Sequence, residues 1–473
     1  MGQGFRPLLV ACLVISAVGA QGSVMRVVTP DGSTFLLFPR KGRPVAYWAS
    51  FVRMGRVHEG PGQAGLAAAC VRSSLLGTHS HGSSNAHEEE AALLELDRAE
   101  DRLARAQRDG REPEEVDRLR LARDAARKES RRFVEQQSFL RLLARLPAQQ
   151  PRVTPMVDGT LVELAVPTVR LRQLARLMES RRREPLLRRL GSLVKAALAE
   201  RHAEVAGRAH DRALALLALE VYPARLALLP PSNQRRIRRS QAKEFYRTCQ
   251  RPERTFTAIV GSFDAEKLTA DLKRVFVQPA PGHGARALPT EPPQDGRASK
   301  RIRSTLPRLV LGWRPPAGTS RDLLEITALL LVGDDTFGLM AHLVHEKRLA
   351  QSIEATAGFP SMTATGLLML TATARQPSGF DRLQESVRKH VDDLRRGASV
   401  DSAARAIVIW STRRQRLLDS PSRLAAWLAL MAGVGRRVDV LAKPPTTAAV
   451  RAKLAGLLAV DSENEVTSDL ENR

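Results

Sequence analysis

Apolar and polar residues alternate from Met25 to Phe38 around Pro30-Asp31-Gly32, the pattern of a strand, a tight turn and a second strand. Val45 to Val52 reads as a third strand. Gly60-Pro61-Gly62 then breaks the chain before Ala64 to Leu76, an apolar segment of helical length. From Ala86 to about Val134 the material changes: charges of both signs intermix, and Ala92, Leu96, Ala99, Leu103 and Ala106 trace a heptad seam. Asp109-Gly110-Arg111-Glu112-Pro113 stops that seam, and Val116, Leu119, Ala126 and Phe133 resume it. Residues 86–134 therefore predict an antiparallel helical hairpin inserted into the first module and projecting from it. The strand pattern returns over Gly159 to Val166, followed by helices over Val169 to Val205 and Arg208 to Leu219. Phe256 to Val260 predicts a short buried strand, and Gly261 to Phe276 a turn and a closing helix.

Between Gln278 and Ser304 the chain is rich in Pro, Gly and charge, so residues 279–304 read as an interdomain linker. A second strand and helix series follows. It has a strand at Leu309 to Trp313, a helix at Leu323 to Leu343, strands near Ile353 to Ala357 and Leu367 to Ala372, and helices over Phe380 to Arg396 and Val400 to Leu418. Further helices carrying Trp410, Leu417, Leu424 and Leu428 complete it, and the polar, acidic residues 461–473 read as a frayed tail. The fold class expected is α+β, with two similar modules of mixed or antiparallel sheet packed with helices, over residues 25–278 and 305–460.

Size agrees, because 473 residues exceed what a single core usually serves. Hydrophobic residues make up 43% but aromatics only 4%, so the cores must be built from Leu, Val and Ala. Lys and Arg number 74 against 50 Asp and Glu, giving a formal charge of +24, and only eleven of the basic residues are Lys. Nucleic-acid binding would want that charge clustered on one element with interleaved aromatics. No such element appears, so no specific nucleic-acid partner is expected; runs such as Arg181 to Arg183 and Arg235 to Arg239 read as solvated helix faces. At the N-terminus Arg6, the apolar run Leu8 to Val18 and Val18-Gly19-Ala20 have the layout of a signal peptide over residues 1–20, which implies export to the periplasm or medium. Leu9-Val10-Ala11-Cys12 resembles a lipoprotein box, but the apolar stretch before it is very short and conventional cleavage is preferred. No later segment is long and apolar enough for a transmembrane helix. Cleavage would leave Cys70 and Cys249, which can form at most one disulfide.

A family resemblance begins at Arg56-Val57-His58-Glu59, Gly65-Leu66-Ala67 and Gly77-Thr78. This frame is similar, without a gap, to the pitrilysin/insulinase-type zinc peptidases, in which a strand leads through an Arg-x-x-Glu-like turn into a helix reading G-L-A-H-x-x-E-H and then G-T. Asp158-Gly159-Thr160 resembles that family's D-x-T strand, Tyr222-Pro223 its H-P-Y-type turn, and Phe245-Tyr246 with Val260-Gly261-Ser262-Phe263-Asp264 the close of its first module. In the second half Glu346-Lys347-Arg348-Leu349-Ala350-Gln351-Ser352 resembles E-K-x-L-A-Y-S. The match runs from residue 25 to about 440 apart from the helical insert.

The resemblance implies an inverted zinc helix, with two histidines one turn apart on one metal and a glutamate activating the metal-bound water. Those positions are Ala68 and Arg72 for the histidines and Val71 for the general base. Ala68 has no ligand atom, Val71 accepts no proton, and Arg72 brings a permanent cation. The third-ligand position is Glu200, and a lone carboxylate does not hold zinc, so no cofactor is expected although the family's would be zinc. Arg72 is expected to occupy the vacated position and pair with Glu200; otherwise Glu200 is a surface helix residue. The tyrosine that helps stabilise the oxyanion in active relatives corresponds to Gln351, and the substrate-contacting asparagine falls near Arg152.

His79, His81 and His87, with Glu88 to Glu90, form a local cluster that offers an alternative metal site. The function expected is a catalytically degenerate, non-catalytic partner subunit of an exported metallopeptidase. It would pair with an active zinc-motif relative or with itself and help hold extended peptides, edge-strand addition being the physical mode. One alternative is an active zinc metallopeptidase using non-standard ligands, and another is an envelope structural or binding protein using the helical arm and the positive surface.

Overall fold

The computed structural model describes residues 24–42, 44–135, 149–206, 213, 221, 237–278, 294, 297, 299–304, 306–359, 366–436, 438 and 443–470. The signal-peptide reading with Cys12, the helix over Arg208 to Leu219, Tyr222-Pro223 and most of the 279–304 linker lie outside these residues.

The first sheet is six-stranded, in the order β1-β2-β6-β3-β5-β4. Its strands are β1 (Met25–Val28), β2 (Thr34–Pro39), β3 (Val45–Val52), β4 (Gln149–Pro155), β5 (Thr160–Pro167) and β6 (Thr255–Gly261). β2 and β6 run parallel, and the remaining neighbours are antiparallel. On one face Phe35, Leu37, Trp48 and Val52 pack with α1 (Leu66–Ser74), α4 (Leu171–Arg183), α6 (Arg239–Cys249) and α7 (Ala265–Val275).

The helical insert consists of α2 (Ala86–Arg108) and α3 (Pro113–Arg132). Leu93, Ala99, Leu103 and Ala106 line its buried seam, and Asn85 caps α2 by accepting from the Glu88 amide. At the base Glu89 is fully buried against Arg188, whose Nη1 and Nη2 also donate to the Leu76 and Gly82 carbonyls at 2.8 and 2.6 Å. Gly77 makes this possible, since a Cβ there would lie 2.3 Å from the Arg188 Nη1. Gly77 thus makes room for the arginine that anchors the hairpin.

The second sheet is five-stranded, in the order β7-β11-β8-β10-β9, with β7 (Ser299–Ser304), β8 (Arg308–Trp313), β9 (Ala350–Phe359), β10 (Leu367–Ala374) and β11 (Glu463–Leu470). β7 and β11 are parallel and the rest antiparallel. Its core draws on α8 (Arg321–Val332), α9 (Phe380–Arg396), α10 (Val400–Asp419) and α12 (Thr447–Leu457). A π-helical turn, Met340–Glu346, leads into β9. The architecture is therefore α+β, with two mixed sheets each packed with helices.

Three features correct the sequence reading. Residues 463–470 are not a tail: they form β11 between β7 and β8. The acidic start of that strand is stabilised because the Glu463 carboxylate meets Arg297, Arg388 and Arg395. Ser299 to Ser304, assigned to the linker, form β7 against it. Finally, α11 (Pro421–Gly433) packs on the first sheet: Leu424, Ala425, Leu428 and Ala429 cover its second face through Leu36, Phe38, Ala49 and Phe51. Burial of both faces explains why β2 reads TFLLFP with little alternation. Among the described residues no helix is long and apolar enough to cross a membrane.

Candidate functional site

α1 starts at Gly65, whose φ of 84° is left-handed, and a Cβ there would lie 3.2 Å from the Val194 carbonyl. Glycine thus lets α1 approach α5 (Leu190–Ala206) closely along the stretch that carries the metal positions of the resembled family. Val71 is fully buried in the core and Ala68 is buried at the helix interface. Arg72 donates from Nη1 to Oε1 and from Nη2 to Oε2 of Glu200, both at 2.8 Å, a bidentate pair. The Glu200 side chain is half exposed, so the pair closes the site from the solvent side.

A second pair, which sequence reasoning missed, lies beneath it. Glu59 accepts from the Ala67 amide at 2.9 Å and from Arg201, both side chains of the ion pair being almost wholly buried. Burial pushes the Glu59 carboxyl up, while Arg201 and the Ala67 amide draw it back down. The carboxylate thereby holds the first turn of α1 to α5. Its sequence signal was the acid ending Arg56-Val57-His58-Glu59, whose arginine partner adjoins Glu200.

Ala67, Ala68, Thr160, Ala197, Glu200, Arg201 and neighbouring residues leave a cavity of about 30 Å³. The donor set there does not fit zinc. Two of its positions carry no ligand atom, a guanidinium stands at the third, and both Glu200 oxygens are already engaged. The second-half position Gln351 is exposed at the start of β9, where the register with β10 shifts, and it does not line this cavity. Arg152 is exposed on β4, with its Nε 4.0 Å from Glu163.

The histidine cluster is not gathered into one centre. His79 reaches Glu90 at 3.2 Å, His81 faces Ser180 at 3.3 Å, and His87 is exposed on α2. Partial burial lowers the affinity of His79 and His81 for protons. Among the described residues no group of three or more His, Cys, Asp or Glu side chains is placed to hold a metal ion. Cys70 and Cys249 are both buried, and no disulfide joins them.

A larger cavity, about 290 Å³, lies where the two halves meet. Phe51, Arg56 and the turn Pro155 to Asp158 form its first-half wall; Arg321, Thr356 to Gly358 and Leu430 form the other. It too escaped sequence reasoning, because its residues are scattered from β3 to α11.

Residues 236–407 match the family described as the peptidase M16 inactive domain. No curated protein matches the sequence. Among solved structures, a protease from Helicobacter pylori superposes with a TM-score of 0.71 at 14% identity, over 94% of this chain and 99% of that one. A peptidase M16 inactive domain from Pseudomonas fluorescens gives 0.67 at 14% identity, over 95% and 98%. The periplasmic protease PqqL from Escherichia coli gives 0.66 at 12% identity, over 95% of this chain but 48% of its own. Residues 236–407 thus resemble the M16 inactive domain in sequence, and the chain as a whole shares the fold of M16-like peptidases across both halves.

Proposed function

We propose that this protein is an exported, non-catalytic partner subunit, which pairs with a zinc-bearing relative and supplies one wall of a peptide-holding chamber. The observation that carries the reading is the metal helix: Ala68 and Val71 are apolar, and Arg72 is bound to Glu200 through both guanidinium nitrogens. A divalent cation finds no ligand pair there, and water finds no general base. Size supports pairing, since this chain matches about half of PqqL, a periplasmic protease. The cavity between the halves supplies the space for a bound segment. The absent zinc would have to come from the partner.

Two measurements test this. Purified alone, the chain should cleave no peptide in a chelator-sensitive manner. Mixed with an M16 relative that retains H-x-x-E-H, it should form a stable complex by analytical ultracentrifugation and raise that relative's kcat/KM. Chelator-sensitive cleavage by this chain alone, or failure to associate with any zinc-motif relative encoded beside it, would overturn the proposal.

A further inference from the structure

β4 is the edge of the first sheet that borders the cavity between the halves. Its backbone is poorly equipped for ladder extension. The Met156 amide points inward, donating to the Gly159 carbonyl at 2.8 Å, so by strand alternation positions 155 and 153 point outward. Position 155 is proline, and so is position 151 at the register shift, which leaves Val153 as the outward donor beside Pro155. A peptide laid on this edge can donate to its carbonyls but finds few amides for its own. A chain that holds peptides here needs another anchor.

The 290 Å³ cavity adjoins the end of β4 through Pro155 and Met156. One arginine from each half lines it, Arg56 and Arg321, together with the Asp158 side of the first-half turn, and its apolar lining comes from Phe51, Met156, Val157, Ala357 and Leu430. Arg321 is oriented by Glu325, which accepts from its Nε at 2.7 Å, so Nη1 turns toward Gly358. Gly358 has φ +86° at a bulge in β9, and a Cβ there would lie 3.0 Å from that nitrogen. Arg53 and Arg436 add positive charge around the site, while Asp158, Asp322 and Glu325 only partly offset it. Burial, reinforced by Arg254 at Arg53 and by Arg321 at Arg436, lowers both of these pKa values, as expected where cations crowd. The enclosure is too small for a folded partner and suits the end of a chain.

We propose that this cavity receives the C-terminal carboxylate and terminal apolar side chain of a peptide, with Arg56 and Arg321 sharing the carboxylate. A planar guanidinium suits a carboxylate, and the apolar walls suit a Leu- or Phe-like side chain. Occupancy would bridge the two halves, and specificity would lie in the peptide's end rather than along its backbone. This inference rests on the peptide-holding reading above and names which part of the peptide is held.

The test uses the full chain and one N-terminally fluorescein-labelled apolar peptide ending in Leu, made as the free acid and as the C-terminal amide, with binding read by fluorescence anisotropy. The free acid should bind about tenfold or more tightly than the amide. Arg321→Gln and, separately, Arg56→Gln should remove that difference in variants whose thermal melts remain cooperative. Equal affinity of the wild-type chain for acid and amide refutes the carboxylate site and leaves peptide holding intact. Binding of neither peptide, by the chain alone or in complex with its relative, refutes both.

Discussion

Adjacent residues of α5 make two arginine–glutamate pairs with very different surroundings, and substitution should separate them. Arg72 and Glu200 have side chains 22% and 50% exposed, whereas Arg201 and Glu59 are 3% and 1% exposed. For the outer pair, Coulomb attraction competes with water and with side-chain ordering, so Arg72→Met should cost about 0.5–1 kcal/mol. Removing Arg201 is another matter: Arg201→Met leaves the Glu59 carboxylate buried with only backbone amides, those of Ala67 and Gly65, to stabilise its charge, and should cost about 3–5 kcal/mol. Against a typical total of about 5–15 kcal/mol, the inner substitution removes a large fraction of stability. Urea denaturation followed by circular dichroism measures both, with the m-value confirming a comparable unfolding transition. A loss above about 2 kcal/mol for Arg72→Met, or below about 1 kcal/mol for Arg201→Met, would refute this division between a surface closure and a structural pair.

Three further outcomes are expected. The triple substitution Ala68→His, Val71→Glu, Arg72→His should confer one zinc per chain by elemental analysis, with Glu200 as third ligand; a folded triple variant without zinc would show that this helix is misassigned. His390, whose Nε2 donates to the Leu330 carbonyl at 3.3 Å, has its pKa lowered first by burial, against Asp393 and the Leu330 and Leu331 carbonyls, with His342 assisting. A depressed folded value means its contribution is complete above the ordinary imidazole value of 6.5 and is lost as pH falls through the lower folded value. Melting temperature should therefore fall as pH drops from 6.5 toward the lower folded value, and less steeply in His390→Gln. Gly433→Ala would place a Cβ 2.1 Å from the Phe51 ring, so it should cost about 1–3 kcal/mol in chemical denaturation, with Phe51→Leu recovering part of the loss.

Regions with one clear period were legible in the sequence. Val45–Val52 is a strand as read, and the hairpin ends at Arg132, close to the expected Val134. The heptad arithmetic was off by one position at its start, because Leu93 rather than Ala92 turns fully inward. What escaped depended on distant partners. β4 contains Pro151 and Pro155 and lacks alternation, so nothing local marks it as a strand before its pairing with β5 is known. β11 looked like a solvated tail because its acids are matched by Arg297, Arg388 and Arg395, far away in sequence. At the site, the family resemblance could be laid on positions 68, 71 and 72 because one helix carries them all. The Glu59–Arg201 pair and the inter-half cavity arise only when β4, α1, α5 and the second half are assembled.

The placement of α11 governs how the chain can be made and cut. Until residue 433 has left the ribosome, the first half presents Leu36, Phe38, Ala49 and Phe51 on a sheet face still waiting for its cover. Nascent chains should accordingly need a holdase until synthesis is nearly finished, and an expressed fragment ending near residue 278 should aggregate. A cut between the two halves should therefore leave one interlocked body, with α11 still gripping the opposite sheet.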